Sequence, residues 1–315
     1  MHSSDGPKFP TARIEILSFE SLTLTDRQFL TESRDGVTAR IAGELRLPAG
    51  AARVPAVVLL HGSAGIGANV DRWAGELNQI GAGAFLLDSF TGRGIVQTVT
   101  DQSQLGNLAM IVDAYRALAL LSHHASIDSS RIVVMGFSKG GFAALYASLK
   151  RFQRIYGSPD IEFAAYVPFY PACNTTYLQD EDITPRPIRI FHGTADNYVP
   201  IEPCRKYVQR LHCAGKDVQL HEYAGAHHAF DNPLYSPHRS LPDAIITGAC
   251  MREERTPGEI VNVATGRPFQ WTDACVKRGG TVGFDPIATE EATKAVTSFL
   301  IATFRRQPVS STGPA

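Results

Sequence analysis

The stretch Val133–Leu149, "VVMGFSKGGFAALYASL", constrains this 315-residue chain more than any other part of it. Ile132–Met135 is a short β-branched and apolar run of the kind that forms a buried strand, and Phe142–Leu149 has the alanine-rich composition of a helix. Between them, Gly136-Phe137-Ser138-Lys139-Gly140-Gly141 has to turn the chain within a few residues. Packing accounts for the flanks and leaves the serine unexplained. G-x-S-x-G between a strand and a helix is the pattern of a nucleophile elbow, where small residues allow so sharp a turn that the serine Oγ stands clear at the end of a sheet.

Such a turn needs a sheet to hold it, and the flanking sequence supplies one. "VPAVVLLHG" (Val54–Gly62) is a continuous apolar run ending in glycine, as expected of a central parallel strand. "AGAFLLDSF", "EFAAYVPFYP", "RPIRIFHG" and "DVQLHEY" read as further strands, with Ser130–Phe137 feeding the elbow. Helical spacing is expected near Asn69–Ile80, Asp101–His124, Glu202–Ala214 and Thr289–Arg305. "ARIEILSFES" and "VTARIAGELRLP" alternate like antiparallel strands with one wet face. Strands alternating with helices predict an α/β fold, a mostly parallel sheet with helices on both faces. One domain is expected over 13–305, with residues 1–12 and 306–315 disordered. Residues 231–286 break the alternation with turn-rich sequence. An insertion of that length after the last sheet strand is expected to serve as a lid or binding element.

Composition excludes several functions. Net charge −1 with 19% charged residues leaves no electrostatic footprint for nucleic acid, and no apolar run reaches membrane-spanning length. The polar opening "MHSSDGPKFP" lacks the apolar core of a secretory signal, so the cytoplasm is the expected compartment. Five scattered cysteines without a C-x-x-C pair give no metal or redox motif. Free thiols are expected in a reducing compartment. In an oxidising one Cys250 and Cys275 are expected to pair, because the segment between them is rich in turn formers.

A serine hydroxyl becomes a nucleophile when a histidine takes its proton, and the histidine needs a carboxylate to fix its tautomer. In sheets of this kind the chain order is Ser, Asp or Glu, His. "IRIFHGTADNYVP" places Asp196 in the loop after strand Ile188–Phe191. "LHEYAGAHHAF" places His227 and His228 after the last strand, and either histidine satisfies the order. His61 and His192 precede glycines at strand ends and read as packing beneath the site; His123 and His124 close a helix. Lys139 opposes the dipole at its helix start, so its side chain is expected to reach solvent or to attract anionic substrates.

G-F-S-K-G-G, H-G-T-A-D-x-x-V-P and G-A-H-H-A-F together resemble the dienelactone hydrolase family of the α/β-hydrolases, in its serine branch. "DSFTGRG" and "SSRIVVMGFS" strengthen the likeness, which spans roughly 54–228 and resumes in the last helix. The resemblance implies Ser138 as nucleophile, Asp196 as orienting acid and His228 as base. The backbone N–H groups of Lys139 and Ser63 would form the oxyanion hole. It also makes Arg93 and His227 possible substrate-binding residues. No cofactor or metal is implied, and the expected partner is a small-molecule ester or lactone. The founding members carry cysteine in the elbow and an arginine shortly after the catalytic histidine. Here serine stands in the elbow and Asp231-Asn232 follow Phe230, which argues against dienelactone itself. A peptidase or acyltransferase on the same triad, or a non-catalytic scaffold of this fold, are the alternatives.

Overall fold

A computed structural model describes residues 10–50 and 52–305. Eight strands form the central sheet: β1 (Thr11–Thr23), β2 (Val37–Pro48), β3 (Val54–Leu60), β4 (Gly83–Asp88), β5 (Ile127–Phe137), β6 (Tyr166–Phe169), β7 (Ile188–Gly193) and β8 (Val218–Tyr223). Their spatial order is β1-β2-β4-β3-β5-β6-β7-β8. β1 and β2 pair antiparallel, β2 joins β4 antiparallel, and every later neighbour is parallel. The alternation in the first two segments therefore marks the antiparallel edge, and the continuous apolar runs mark the covered parallel centre. β1 begins at Thr11, inside the stretch expected to be disordered; residues 1–9 and 306–315 lie outside the described residues.

Helices cover both faces. On one side lie α1 (Asp26–Leu30), α3 (Ala109–Ser122), α4 (Lys139–Tyr146), α5 (Lys150–Tyr156) and α6 (Glu202–Cys213); α2 (Ala68–Gln79) and α7 (Pro286–Arg305) pack on the other. β3 shows why. Val57 and Leu59 point into the layer with Trp73, Leu77, Val296 and Leu300, while Ala56, Val58 and Leu60 point into the layer with Ile111, Leu118 and Phe142. Both faces are fully buried, so each of the larger aliphatic side chains contributes ~1.5–3 kcal/mol of burial. Two elements escaped the sequence reading, α1 and α5, which are too short for a full apolar period. The expected helix over 101–124 is one 3₁₀ turn at Gln102–Gln104 and then α3.

Residues 231–286 fold as a chain of small ribbons instead of a long loop. Arg239–Ser240 pairs with Thr281–Val282, Ile245–Ile246 with Lys277–Arg278, and Arg252–Thr256 with Glu259–Asn262. Arg252–Glu253 also runs parallel to Thr175–Thr176, which stitches the insertion to the segment after β6. Glu254 is the bolt. Its buried carboxylate takes hydrogen bonds from Arg151 Nη1 (2.7 Å) and Nη2 (3.0 Å) and from the Leu178 and Gly258 amides. Two disulfides add to this: Cys250–Cys275 closes the insertion on itself, and Cys173–Cys204 ties the loop after β6 to α6. The sequence offered no local argument for the second pair. Cys213 is free and exposed.

Candidate active site

β5 ends at Phe137 and α4 begins at Lys139, so Ser138 alone makes the turn, with φ 54° and ψ −112°. A non-glycine residue at that φ is strained, and its neighbours make the turn possible. A side chain on Gly140 would run into the carbonyl oxygens of Leu60 and His61, and one on Gly136 into the carbonyl of Gly140. Glycine at both positions lets α4 press against the end of β3, which is the close approach the motif implied.

Three side chains then meet at the carboxyl ends of three strands. Ser138 Oγ lies 2.9 Å from His228 Nε2, and His228 Nδ1 lies 2.7 Å from Asp196 Oδ2. The other oxygen of Asp196 accepts from the amides of Tyr198 (2.9 Å) and Val199 (2.7 Å), so the carboxylate is held by its own loop. Asp196 and His228 are buried, whereas Ser138 is half-exposed toward a cavity. Tyr198 stacks on the His228 ring at 4.8 Å, and Tyr170 meets it edge-on at 4.7 Å. The imidazole is thereby fixed on two sides as well as at both nitrogens.

His227 turns the other way. Its Nδ1 lies 3.1 Å from the Ala195 carbonyl and its ring lies 5.4 Å from that of His238. His61 and His192 are fully buried, and burial lowers the pKa of each imidazole. His61 Nε2 accepts from the Ser89 amide at 3.2 Å, packing beneath the site as expected. Gly62, just before Ser63, sits so close that a Cβ there would lie 3.4 Å from Ser138 Cβ. Ser63 is therefore at the lip of the serine pocket, and Gln102 Nε2 holds its hydroxyl at 3.0 Å.

Two expectations need correction. Arg93 does not face the site: its guanidinium makes a double hydrogen bond with buried Asp113, at 2.8 Å on each arm, and its Nη1 also binds the Ser89 carbonyl at 2.7 Å. Its partner lies on α3, out of view of local sequence. Lys139 does not reach solvent. Its side chain is buried, and Nζ donates to the Leu105 carbonyl (2.7 Å) and Asn107 Oδ1 (2.8 Å), fastening the 102–107 loop beside the serine. Burial lowers its pKa to about 8, against the pull of Asp26 and Asp101.

Several site residues had no place in the sequence reading. Tyr198 was within reach, since it stands two residues beyond Asp196 in the same motif. Gln102 and Tyr170 gave no signal. Asp231, which stands where the family's founding members carry arginine, is a buried carboxylate bonded by Trp73 Nε1 (2.8 Å) and the Tyr170 hydroxyl (2.6 Å). Ile245, Thr247, Gly248 and Trp271 come from the insertion and line the serine pocket with Phe142, Ala172 and Val199.

A family model described as "Dienelactone hydrolase family" matches residues 41–247. Among curated proteins, the "Probable carboxylic ester hydrolase LipM" of Mycobacterium tuberculosis is 29% identical over 163 residues, covering 38% of this chain and 38% of that protein. The "Probable 2-oxo-3-(5-oxofuran-2-ylidene)propanoate lactonase" of Bradyrhizobium sp is 24% identical, covering 67% of this chain and 89% of that protein. Among solved structures, a dienelactone hydrolase-like promiscuous phosphotriesterase from metagenomic libraries is 18% identical with TM-score 0.60, covering 93% of this chain and 100% of that one. Esterase 2 of Thermogutta terrifontis is 18% identical with TM-score 0.55, covering 96% and 98%. The fold is the α/β-hydrolase fold, and the chain belongs to the dienelactone hydrolase family.

Proposed function

We propose that this family member is a serine hydrolase of small carboxylic esters or lactones, with Ser138 as nucleophile, His228 as base and Asp196 as orienting acid. The observation that carries the reading is the unbroken series Ser138 Oγ–His228 Nε2 at 2.9 Å and His228 Nδ1–Asp196 Oδ2 at 2.7 Å, opening onto a cavity. His228 takes the Ser138 proton as Oγ attacks the acyl carbon, and Asp196 stabilises the imidazolium that results. The N–H groups of Ser63 and Lys139 receive the oxyanion, where losing one donor typically costs ~3–4 kcal/mol. Collapse breaks the acyl carbon–oxygen bond, and the leaving alkoxide takes the proton from His228. Water, deprotonated by the same imidazole, then releases the acid from Ser138.

The names of the two curated relatives, an ester hydrolase and a lactonase, agree with this substrate class. Dienelactone itself fits poorly, because Asp231 faces Trp73 and Tyr170, and Arg93 faces Asp113. Among the described residues no helix is long and apolar enough to cross a membrane. The two disulfides favour an oxidising compartment over the cytoplasm. The test is labelling by a fluorophosphonate probe together with turnover of p-nitrophenyl acetate. Ser138→Ala should abolish labelling and lower kcat by about 10⁴ to 10⁶. Wild-type turnover in that variant, or no labelling of the native protein, would sink the reading.

A further inference from the structure

Two cavities of very different size adjoin beside the serine, one of them lined by Ser138 itself. The serine pocket holds about 60 Å³, and Phe142, Ala172, Val199 and Ile245 give it an apolar wall. Beside it runs a groove of about 910 Å³ between residues 23–28, residues 102–107 and the insertion. Gln102, Asn107 and Trp271 border both. At about 60 Å³ the serine pocket is much the smaller space, which suits a short acyl group. The groove is at the upper end of the ~300–1,000 Å³ usual for small-molecule sites.

The groove wall is mixed: Leu24, Leu105 and Phe269 stand beside Asp26, Asn107 and Arg252. Arg252 is 7% exposed, yet among the described residues it forms no ion pair. Its Nη2 reaches Asn174 Oδ1 at 3.2 Å, and its buried Nε has no hydrogen-bond partner. The other deeply buried guanidiniums, Arg93 and Arg151, each have a buried carboxylate. A buried cation left without a counter-charge is costly, so oxygen acceptors arriving beside Arg252 would relieve it. Its guanidinium lies over the Phe269 ring at 5.0 Å, and Phe269 meets Trp271 edge-on at 5.5 Å. Trp271 leaves 41% of its surface exposed where the two cavities join. An alkyl chain here would meet the apolar residues but strip water from the polar groups without offering them a partner. A saccharide would present hydroxyl oxygens to the polar groups and its flat C–H face to the indole.

We propose that the groove binds the alcohol half of the substrate, and that this alcohol is a saccharide carrying a short O-acyl group. The inference deepens the serine-esterase reading and rests on it. The acyl group passes to Ser138 Oγ as its bond to the sugar oxygen breaks. The sugar leaves as the free alcohol with the proton from His228, and water releases the short carboxylic acid.

The test compares O-acetylated cellotetraose with ethyl acetate, two unactivated acetates that differ in the alcohol. The full chain should favour the acetylated sugar by about 100-fold or more in kcat/KM, and Trp271→Ala should cut that ratio by about tenfold or more. Arg252→Gln should cut it in the same direction. Equal kcat/KM for the two acetates, or a ratio unmoved by Trp271→Ala, overturns the proposal. If neither acetate is turned over, the esterase reading fails separately, and calorimetry of Ser138→Ala with unacetylated cellotetraose still judges the groove. Binding abolished by adding Trp271→Ala supports it; absence of binding overturns it.

Discussion

Tyr198 lies flat on His228, with ring planes 13° apart and centroids separated by 4.8 Å. The same residue donates its backbone amide to Asp196 Oδ1 at 2.9 Å, so one residue steadies both the imidazole and the carboxylate behind it. Tyr198→Leu keeps the amide and removes the stacking face. The expected outcome is a fall of about tenfold in kcat for p-nitrophenyl acetate, with a smaller change in KM, since ring orientation matters most as the proton moves. A change confined to KM would show that Tyr198 only lines the pocket.

The two adjacent histidines should behave differently. His228→Ala is expected to cost as much as Ser138→Ala, and the double variant little more, because residues acting as a unit are not additive. His227→Ala removes a contact to the Ala195 carbonyl and should cost under about tenfold. Steady-state kinetics of the four proteins checks both statements, and a deeper lesion at His227 would reassign the base.

Lys139 predicts a pH signature. Its pKa is 10.5 when unfolded and about 8 in the fold, chiefly because burial disfavours the ammonium. Between those values the unfolded chain binds more protons, so stability rises with pH. The cost is fully present below pH 8 and gone above about 10.5. Relative to Lys139→Met, the wild-type protein should gain up to about 3 kcal/mol across that window. Urea denaturation at a series of pH values measures it; a difference that stays flat with pH would contradict the buried ammonium.

Glu254 should matter to the insertion more than to the sheet. Glu254→Ala strands the buried Arg151 guanidinium, at a cost of about 3–5 kcal/mol. Glu254→Gln keeps an acceptor and should lose less. Amide exchange is expected to rise first over residues 252–262 and around Leu178, whose amide Glu254 also accepts. Uniform loss of protection throughout the sheet would mean that the insertion is not a separate unit.

Peptide mapping without reductant should recover Cys173 joined to Cys204 and Cys250 joined to Cys275, with Cys213 alkylated. Closing loops of 31 and 25 residues contributes about 3.5 kcal/mol each in the chain-entropy picture. Recovery of four alkylated cysteines from protein kept from reductants would remove both crosslinks from this account.

What the sequence by itself determined is what local rules govern. A strand covered on both faces is apolar throughout, an edge strand alternates, and a turn as tight as that at Ser138 demands glycine at Gly136 and Gly140. The triad candidates were legible because each sits one turn beyond a strand whose end the pattern marks. Tertiary structure alone decided the rest, because the deciding contacts join residues far apart in the chain. His228 rather than His227 faces Ser138 because the turn after β8 sends the first ring to Ala195. Arg93 was claimed by Asp113 on α3, and Lys139 by carbonyls of a loop some thirty residues earlier. The insertion carries no period of 2 or 3.6 to read. Its short ribbons exist only because pairing, the Glu254–Arg151 contact and the disulfides hold them together, and they bring Arg252 to the groove and Trp271 to the border it shares with the serine pocket.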